Sequence, residues 1–204
     1  MDKDAKNRLI EAAMPLFPAK GYAGVSIREI AEAAHVNSAA ISYYFGGKEG
    51  LYEAVLDVLF SQIDDAIHTV DVLQEEPQEF IQRFAMMVLN IHMHNPYIML
   101  YLYQELSHPS PYLEQIIQKH IRKAFNTIYI AISKGISAGI FKKDINIEHA
   151  VMSLAGIINF YFFMTPVRKI VLKNYADNEK EYVQQAISIF LNGIRRNCDE
   201  KKHT

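Results

Sequence analysis

Two Glu-x-x-His pairs, Glu32 with His35 and Glu105 with His108, have the spacing most suggestive of chemistry in this chain. Two such pairs with two further inward-pointing glutamates make the di-iron carboxylate centre of a helical-bundle oxidase. Here the first pair falls in a turn between short helices and the second at a helix end before "PSP", so neither is centred on a long bundle helix. His92 and His94 are two residues apart, which sets them about 200 degrees around a helix and off any common metal-binding face. There is no Walker-type phosphate loop, no G-x-S-x-G elbow and no Cys-His nucleophile arrangement. The chain is therefore read as a non-enzyme with no metal site and no cofactor, and a di-iron metalloenzyme is the alternative.

These residues must be positioned by helices. Apolar residues recur at three and four, and no period-two run bounded by turn residues argues for strands, so the expected fold class is all-α, with about nine helices. Leu9, Ile10, Ala13, Leu16 and Phe17 form the stripe of a first helix that Pro18 is expected to end. Ser26 and Glu29 make a capping-box pattern for a short second helix, and another short helix follows at once. A bridging helix runs from Lys48 to about His68, and Pro77, Pro96 and "SHPSP" punctuate the next two. Residues 112 to 138 read as one long helix, 150 to 163 as an apolar helix and 179 to 196 as the last. The division falls in the bridging helix: a three-helix head, 1–48, and a larger body, 49–204.

Half of the 204 residues are apolar and the net charge is −2, which gives no overall attraction to nucleic acid or anionic membrane. The stretch 150–167 contains Ser153, Asn159 and Pro166, so a buried helix is expected rather than a membrane span. With the single Cys198, no internal disulfide is possible, and the mixed-charge beginning has no signal-peptide pattern; both readings point to the cytoplasm. Between Ile116 and Lys143 lie Lys119, Arg122, Lys123, Lys134, Lys142 and Lys143 without an acidic residue, read as a solvated face.

The head has its own logic. Ile27, Ile30 and Ala31 face inward from one short helix and Val36, Ile41 and Tyr44 or Phe45 from the next, with Ala31 and Ala34 small where the two cross. This is a helix-turn-helix pattern, whose second helix enters a DNA major groove. The groove is about 12 Å wide and a helix about 10 Å in diameter, so the short side chains of Ser38, Ala39 and Ala40 let the leading face approach the bases.

The stretch "SYYFGGKEGL" resembles the "Y-x-H-F-x-x-K-x-x-L" corner of the TetR family of bacterial transcriptional repressors, and "AAMPLFPAKG" resembles that family's "AA-x-x-LF-x-x-x-G" first helix. The resemblance covers about residues 8 to 56. It implies that Ser26 and Arg28 meet phosphate or base at the start of one motif helix, and that Asn37, Ser38, Ala39 and Ala40 lead the recognition helix. It further implies that Tyr43 and Tyr44 touch sugar or backbone, that Lys48 meets a phosphate and that Phe45 anchors the corner. Ser42 stands where the family usually has tyrosine and Tyr44 where it has histidine, which displaces the aromatic contact along the helix. His35 stands where glycine is common.

Such a head reads few base pairs, so a homodimer on palindromic double-stranded operator DNA is expected. Val183, Ile187, Phe190 and Ile194 form one seam on the last helix and are the candidate dimer interface, with the apolar helix beside them. The resemblance implies an inducer pocket in the body. Phe84, Met87, Ile91, Tyr101, Phe125, Tyr129 and Phe160 are its candidate lining, suited to a small hydrophobic or aromatic compound.

Overall fold

The computed structural model describes residues 3–68, 72–171 and 178–196. In chain order the helices are α1 (Lys3–Gly24), α2 (Ile27–Ala33), α3 (Ala39–Phe45), α4 (Lys48–His68), α5 (Pro77–His94) and α6 (Tyr97–Ser107). Then follow α7 (Leu113–Ile116), a π-helical turn (Ile117–Ile121), α8 (Arg122–Ser137), α9 (Ile147–Phe163), α10 (Thr165–Val171) and α11 (Glu179–Ile194). The protein is all-α. Among the described residues the only β feature is an isolated antiparallel bridge, Phe141 to Arg195, and no helix is long and apolar enough to cross a membrane. The linker expected around Thr69 lies partly, and Cys198 wholly, outside the described residues.

The chain divides into two compact units, 1–62 with 95–119 and 63–94 with 120–204. The first joins the short helices to α6 and its following loop. Leu9, Ala13, Phe17, Ile30, Ile41, Leu51, Val55 and Tyr101 are fully enclosed in it, and about 25 cal/mol per Å² of apolar surface removed from water holds it together. Tyr52 adds an edge-on contact to Phe17, with ring centroids 4.9 Å apart.

Pro18 does not end the first helix. A proline lacks the N–H that would reach the carbonyl four residues back, here Met14. The Tyr101 hydroxyl of α6 donates to that Met14 carbonyl at 3.2 Å, so the acceptor left by Pro18 is satisfied from outside the helix. The helical path continues to Gly21, whose φ of 73° breaks it.

One buried carboxylate links the two chain segments of this unit. Glu105 of α6, 2% exposed, accepts from the Tyr52 hydroxyl of α4 at 2.6 Å and from the Ser110 N–H and O–H at 3.0 and 2.7 Å. Burial first, and the Glu105 hydrogen bond second, push the Tyr52 phenol well above its usual range, so it remains a donor.

In the second unit α5 packs on α8 and α11, and α9 on α8 and α11. Its core holds Phe80, Phe84, Leu89, Ile128, Ile132, Phe141, Leu154 and Ile158. The expected continuous helix 112–138 carries a π-helical turn instead. The turn contains the buried His120, whose Nδ1 lies 2.7 Å from Asp64 Oδ2, and Lys123 Nζ donates to the same oxygen at 3.0 Å. Sequence periodicity missed α10, because Pro166 reads as a stop, yet proline is tolerated in a first helical turn.

The basic run is not simply a solvated face. Lys119 pairs with Asp57 and Lys123 with Asp64, while Lys134 donates to the carbonyls of Leu73 and Glu75 and Lys142 to that of Gly193. Each of these lysines ties its own segment to chain elsewhere in its unit.

Burial raises the Asp64 carboxyl, but hydrogen bonds from Lys123 and His120 outweigh it and hold the group below the usual carboxylate range. Its folded value is therefore depressed, so its stabilisation is complete above the unfolded value of about 3.9 and is lost as pH falls through the folded one. Urea unfolding should show wild type more stable than Asp64→Asn at pH 6, with the difference shrinking progressively below about pH 4.

Candidate nucleic-acid interface

The head is capped so that both motif helices begin at the surface. Ser26 Oγ accepts the Glu29 N–H at 3.1 Å and starts α2. This is half of a capping box: the Glu29 carboxylate turns to Lys20 rather than back to the Ser26 N–H. Ser26 and Arg28 are exposed, and Arg28 Nε donates to Glu32 Oε1 at 2.8 Å, one turn on. A surface ion pair of this kind is worth at most about 1 kcal/mol, so a phosphate can compete for the guanidinium.

The turn closes through backbone bonds, Ala34 N to Ile30 O and Val36 N to Ala31 O, each 2.9 Å. His35 adopts φ 53°, the left-handed region expected where glycine is common. For a residue with a β-carbon this costs about 1–2 kcal/mol, and histidine enters the region more readily than most. Ala31 and Ala34 are both buried at the crossing.

Asn37 Oδ1 accepts the Ala39 N–H at 2.8 Å and serves as the side-chain cap of α3, whereas Ser38 makes no capping bond. Ile41 is fully enclosed on the inner face. Asn37, Ser38, Ala39, Ser42 and Tyr43 are exposed, and Ala40 and Tyr44 partly so. Tyr43 is 69% exposed, with its ring edge-on to Tyr44 at 5.0 Å. The outer face of α3 is thus slim at its leading end and aromatic further along.

The corner follows from three glycines. Gly46 takes φ 75° and closes α3 through its N–H to the Ser42 carbonyl at 3.0 Å. Gly47 accepts the first bond of α4, from the Leu51 N–H at 3.2 Å. A β-carbon at Gly50 would lie 1.9 Å from the Phe45 carbonyl oxygen, so the corner backbone rests directly on α4. Phe45 is only partly buried, with Lys6 Nζ 5.7 Å from its ring centroid.

Lys48 opens α4, where unpaired backbone N–H groups favour an anion. Its ammonium sits 4.5 Å from the Tyr22 ring centroid, and burial lowers its pKa. Tyr22 was not evident from sequence as part of this site. Gly50 could have been suspected, since a glycine inside a helix costs about 1 kcal/mol unless close packing requires it.

The ten residues Ser26, Arg28, Asn37, Ser38, Ala39, Ala40, Ser42, Tyr43, Tyr44 and Lys48 all belong to the first compact unit, and none is in its core. The candidate pocket residues are divided between the two units and between core and surface. Tyr101 is enclosed in the first unit on the Met14 carbonyl. Phe84 is in the core of the second unit, Met87, Ile91 and Phe125 are partly buried there, and Tyr129 and Phe160 are exposed.

The seam on α11 requires correction. Val183, Ile187, Phe190 and Ile194 are all buried in the second unit's own core. Their spacing marks a partner helix, and the partners are α5 and α9 of the same chain. The Glu-x-x-His pairs also have other contacts or places: Glu32 binds Arg28, Glu105 binds Tyr52 and Ser110, and His108 lies beyond the end of α6.

Residues 9–55 match the family description "Bacterial regulatory proteins, tetR family". The chain is 29% identical over 137 residues to the Probable HTH-type transcriptional regulator YttP of Bacillus subtilis (strain 168), a match spanning 66% of each chain, just under two thirds. It is 25% identical over 158 residues to the HTH-type transcriptional repressor NicS of Pseudomonas putida, spanning 76% of this chain and 74% of that one. Its fold is similar to that of a tetR-family regulatory protein from Rhodococcus RHA1, with TM-score 0.79 and 21% identity over 97% of this chain and all of that one. HlyIIR, a hemolysin II transcriptional regulator, has the same fold at TM-score 0.71 and 23% identity, over 97% of this chain and 100% of its own.

Because the neighbour of Gly50 is backbone, Gly50→Ala should destabilise the protein by about 1–3 kcal/mol, the usual cost of overpacking. Thermal unfolding followed by helical circular dichroism would register the loss.

Proposed function

We propose that this chain, which belongs to the TetR family of bacterial transcriptional regulators, is a cytoplasmic repressor that binds a palindromic operator as a homodimer and releases it when a small hydrophobic or aromatic inducer binds. The observation that carries the reading is the outer face of α3: exposed Ser38, Ala39, Ser42 and Tyr43 over a fully enclosed Ile41, followed by Lys48 at the next helix N-terminus. The short side chains enter the groove and meet base edges, while Ser26, Arg28, Tyr43, Tyr44 and Lys48 hold the register on sugar and phosphate. In this reading residues 1–48 are the DNA-binding domain and 49–204 the ligand-binding and dimerisation domain.

The dimer uses the face of α9 and α11 on which apolar side chains are exposed among the described residues. Met152, Phe160 and Phe163 share one exposed stripe of α9 with Gly156, where an added β-carbon would meet nothing, and Ile189 of α11 is also exposed. Exposed apolar side chains at helical spacing suit a helix-bundle interface. The inducer sits in the second unit along Phe84, Met87 and Ile91 of α5 and Phe125 of α8. His92, next in line on α5, gives that region a polar handle. Its Nε2 lies 2.8 Å from Asn159 Oδ1, and its buried Nδ1 has no hydrogen-bond partner among the described residues. Inducer acts by favouring a conformation with lower operator affinity, a shift limited by its differential affinity for the two states.

Three measurements test this reading. With Arg28 and Lys48 meeting phosphates in both protomers, log affinity against log salt should have a slope of about −4, and Lys48→Ala should reduce it to about −2. Lys48→Ala and Tyr43→Ala should each weaken operator binding about tenfold in mobility shifts, and unchanged affinity in both would sink the assignment. Phe160→Glu should give a monomer by mass at micromolar concentration with its helicity retained.

A further inference from the structure

A cleft of about 770 Å³ lies wholly within the first unit, walled by the end of α1, the start of α4, α6 and the loop after it. Its volume is in the range of small-molecule sites. Tyr22, Tyr52, Tyr103 and Tyr112 line it, together with Glu49 and Glu105, and among the described residues no lysine or arginine does.

Two features point to the charge of its occupant. Glu105 is buried, yet among the described residues its hydrogen-bond partners are neutral donors, the Tyr52 hydroxyl and the Ser110 N–H and O–H. A buried carboxylate solvated only by neutral dipoles lacks the countercharge that buried ions ordinarily have. Aromatic rings, for their part, attract cations through their negative faces. Tyr22 already does so, since the Lys48 ammonium lies over its ring. Glu49 also acts on the lining tyrosines: after burial, its charge is the next cause raising both the Tyr22 and the Tyr112 phenols. The Lys48 ammonium lies over Tyr22, and the His108 imidazole is part of the cleft wall.

We propose that this cleft binds an organic monocation, an ammonium group carrying an apolar substituent. The charge is held by Glu49 and Glu105 among the tyrosine rings, and the substituent rests on Leu100, Pro18 and Pro109. This site is in the first unit and the inducer region proposed on α5 is in the second, and it does not depend on the operator reading. The break at Gly21 after Pro18 forms one wall, so the same irregularity that interrupts α1 makes room for the ligand.

Calorimetry on the full chain without DNA would test it, using benzyltrimethylammonium, benzyl alcohol and benzoate, which share a ring and differ in charge. The cation should bind, the alcohol at least about tenfold more weakly, and benzoate not detectably. Glu49→Gln and Tyr103→Leu alter exposed side chains, and each should weaken the cation about tenfold with helicity unchanged. Equal binding of cation and alcohol, no cation binding at millimolar concentration, or undiminished binding by both folded variants would overturn the proposal. Operator binding is not read, so failure here leaves the repressor reading intact and the reverse also holds.

Discussion

The hydrogen-bonded carboxylate of Glu105 is the interaction on which the first unit depends. That unit is assembled from chain segments more than thirty residues apart, 1–62 and 95–119. A three-helix head is small, and a small domain buries too little surface to be robust alone. Glu105 adds a polar tie that apolar packing cannot supply, because it holds Tyr52 of α4 and Ser110 of the following loop at fixed geometry. A buried carboxylate is a poor source of net stability, yet it is costly to disconnect, since removing a partner leaves charge or dipole unsatisfied. Its physical effect is to specify one arrangement of α4 against α6.

Pro18 of α1 belongs to the same scheme. A proline inside a helix costs about 3 kcal/mol, partly through the missing hydrogen bond. At Pro18 the stranded Met14 carbonyl is met by Tyr101, so a local defect is compensated by a residue some eighty positions away. The hydroxyl acts as a polar contact that an ordinary helix would not offer. Helix α1 is thus joined to α6 through a bond that exists because α1 is imperfect, and Tyr52 and Tyr101 lie side by side in the enclosed layer between them.

What was legible in the sequence follows from how far each signal reaches. Caps, the left-handed turn at His35 and the glycine corner are set by near neighbours, so the motif helices could be placed from residue types alone. The α11 seam shows where that reach ends. Spacing of Val183, Ile187, Phe190 and Ile194 fixes which face is apolar, but an intrachain partner and a second protomer satisfy the same periodicity. The π-helical turn was hidden for a related reason. It rests on Asp64 and His120, 56 positions apart, and nothing local to either announces the other. The candidate pocket residues fall in different environments, because a tyrosine or phenylalanine at helical spacing is equally at home in a core, on an open stripe or against a backbone carbonyl.

The Glu-x-x-His spacing illustrates the same limit in the opposite direction, where a motif is present and the environment assigns it other work. A metal-binding pair needs carboxylate and imidazole on one face of a continuous helix, both directed to a shared centre. At Glu105 and His108 the helix ends between them: Glu105 is inside α6 and buried, while His108 sits beyond its last residue with φ −139° and is exposed. At Glu32 and His35 the imidazole is in the left-handed turn and the carboxylate holds Arg28. Spacing measured along the chain becomes distance in space only where the backbone is regular, and both pairs straddle the places where it stops being so.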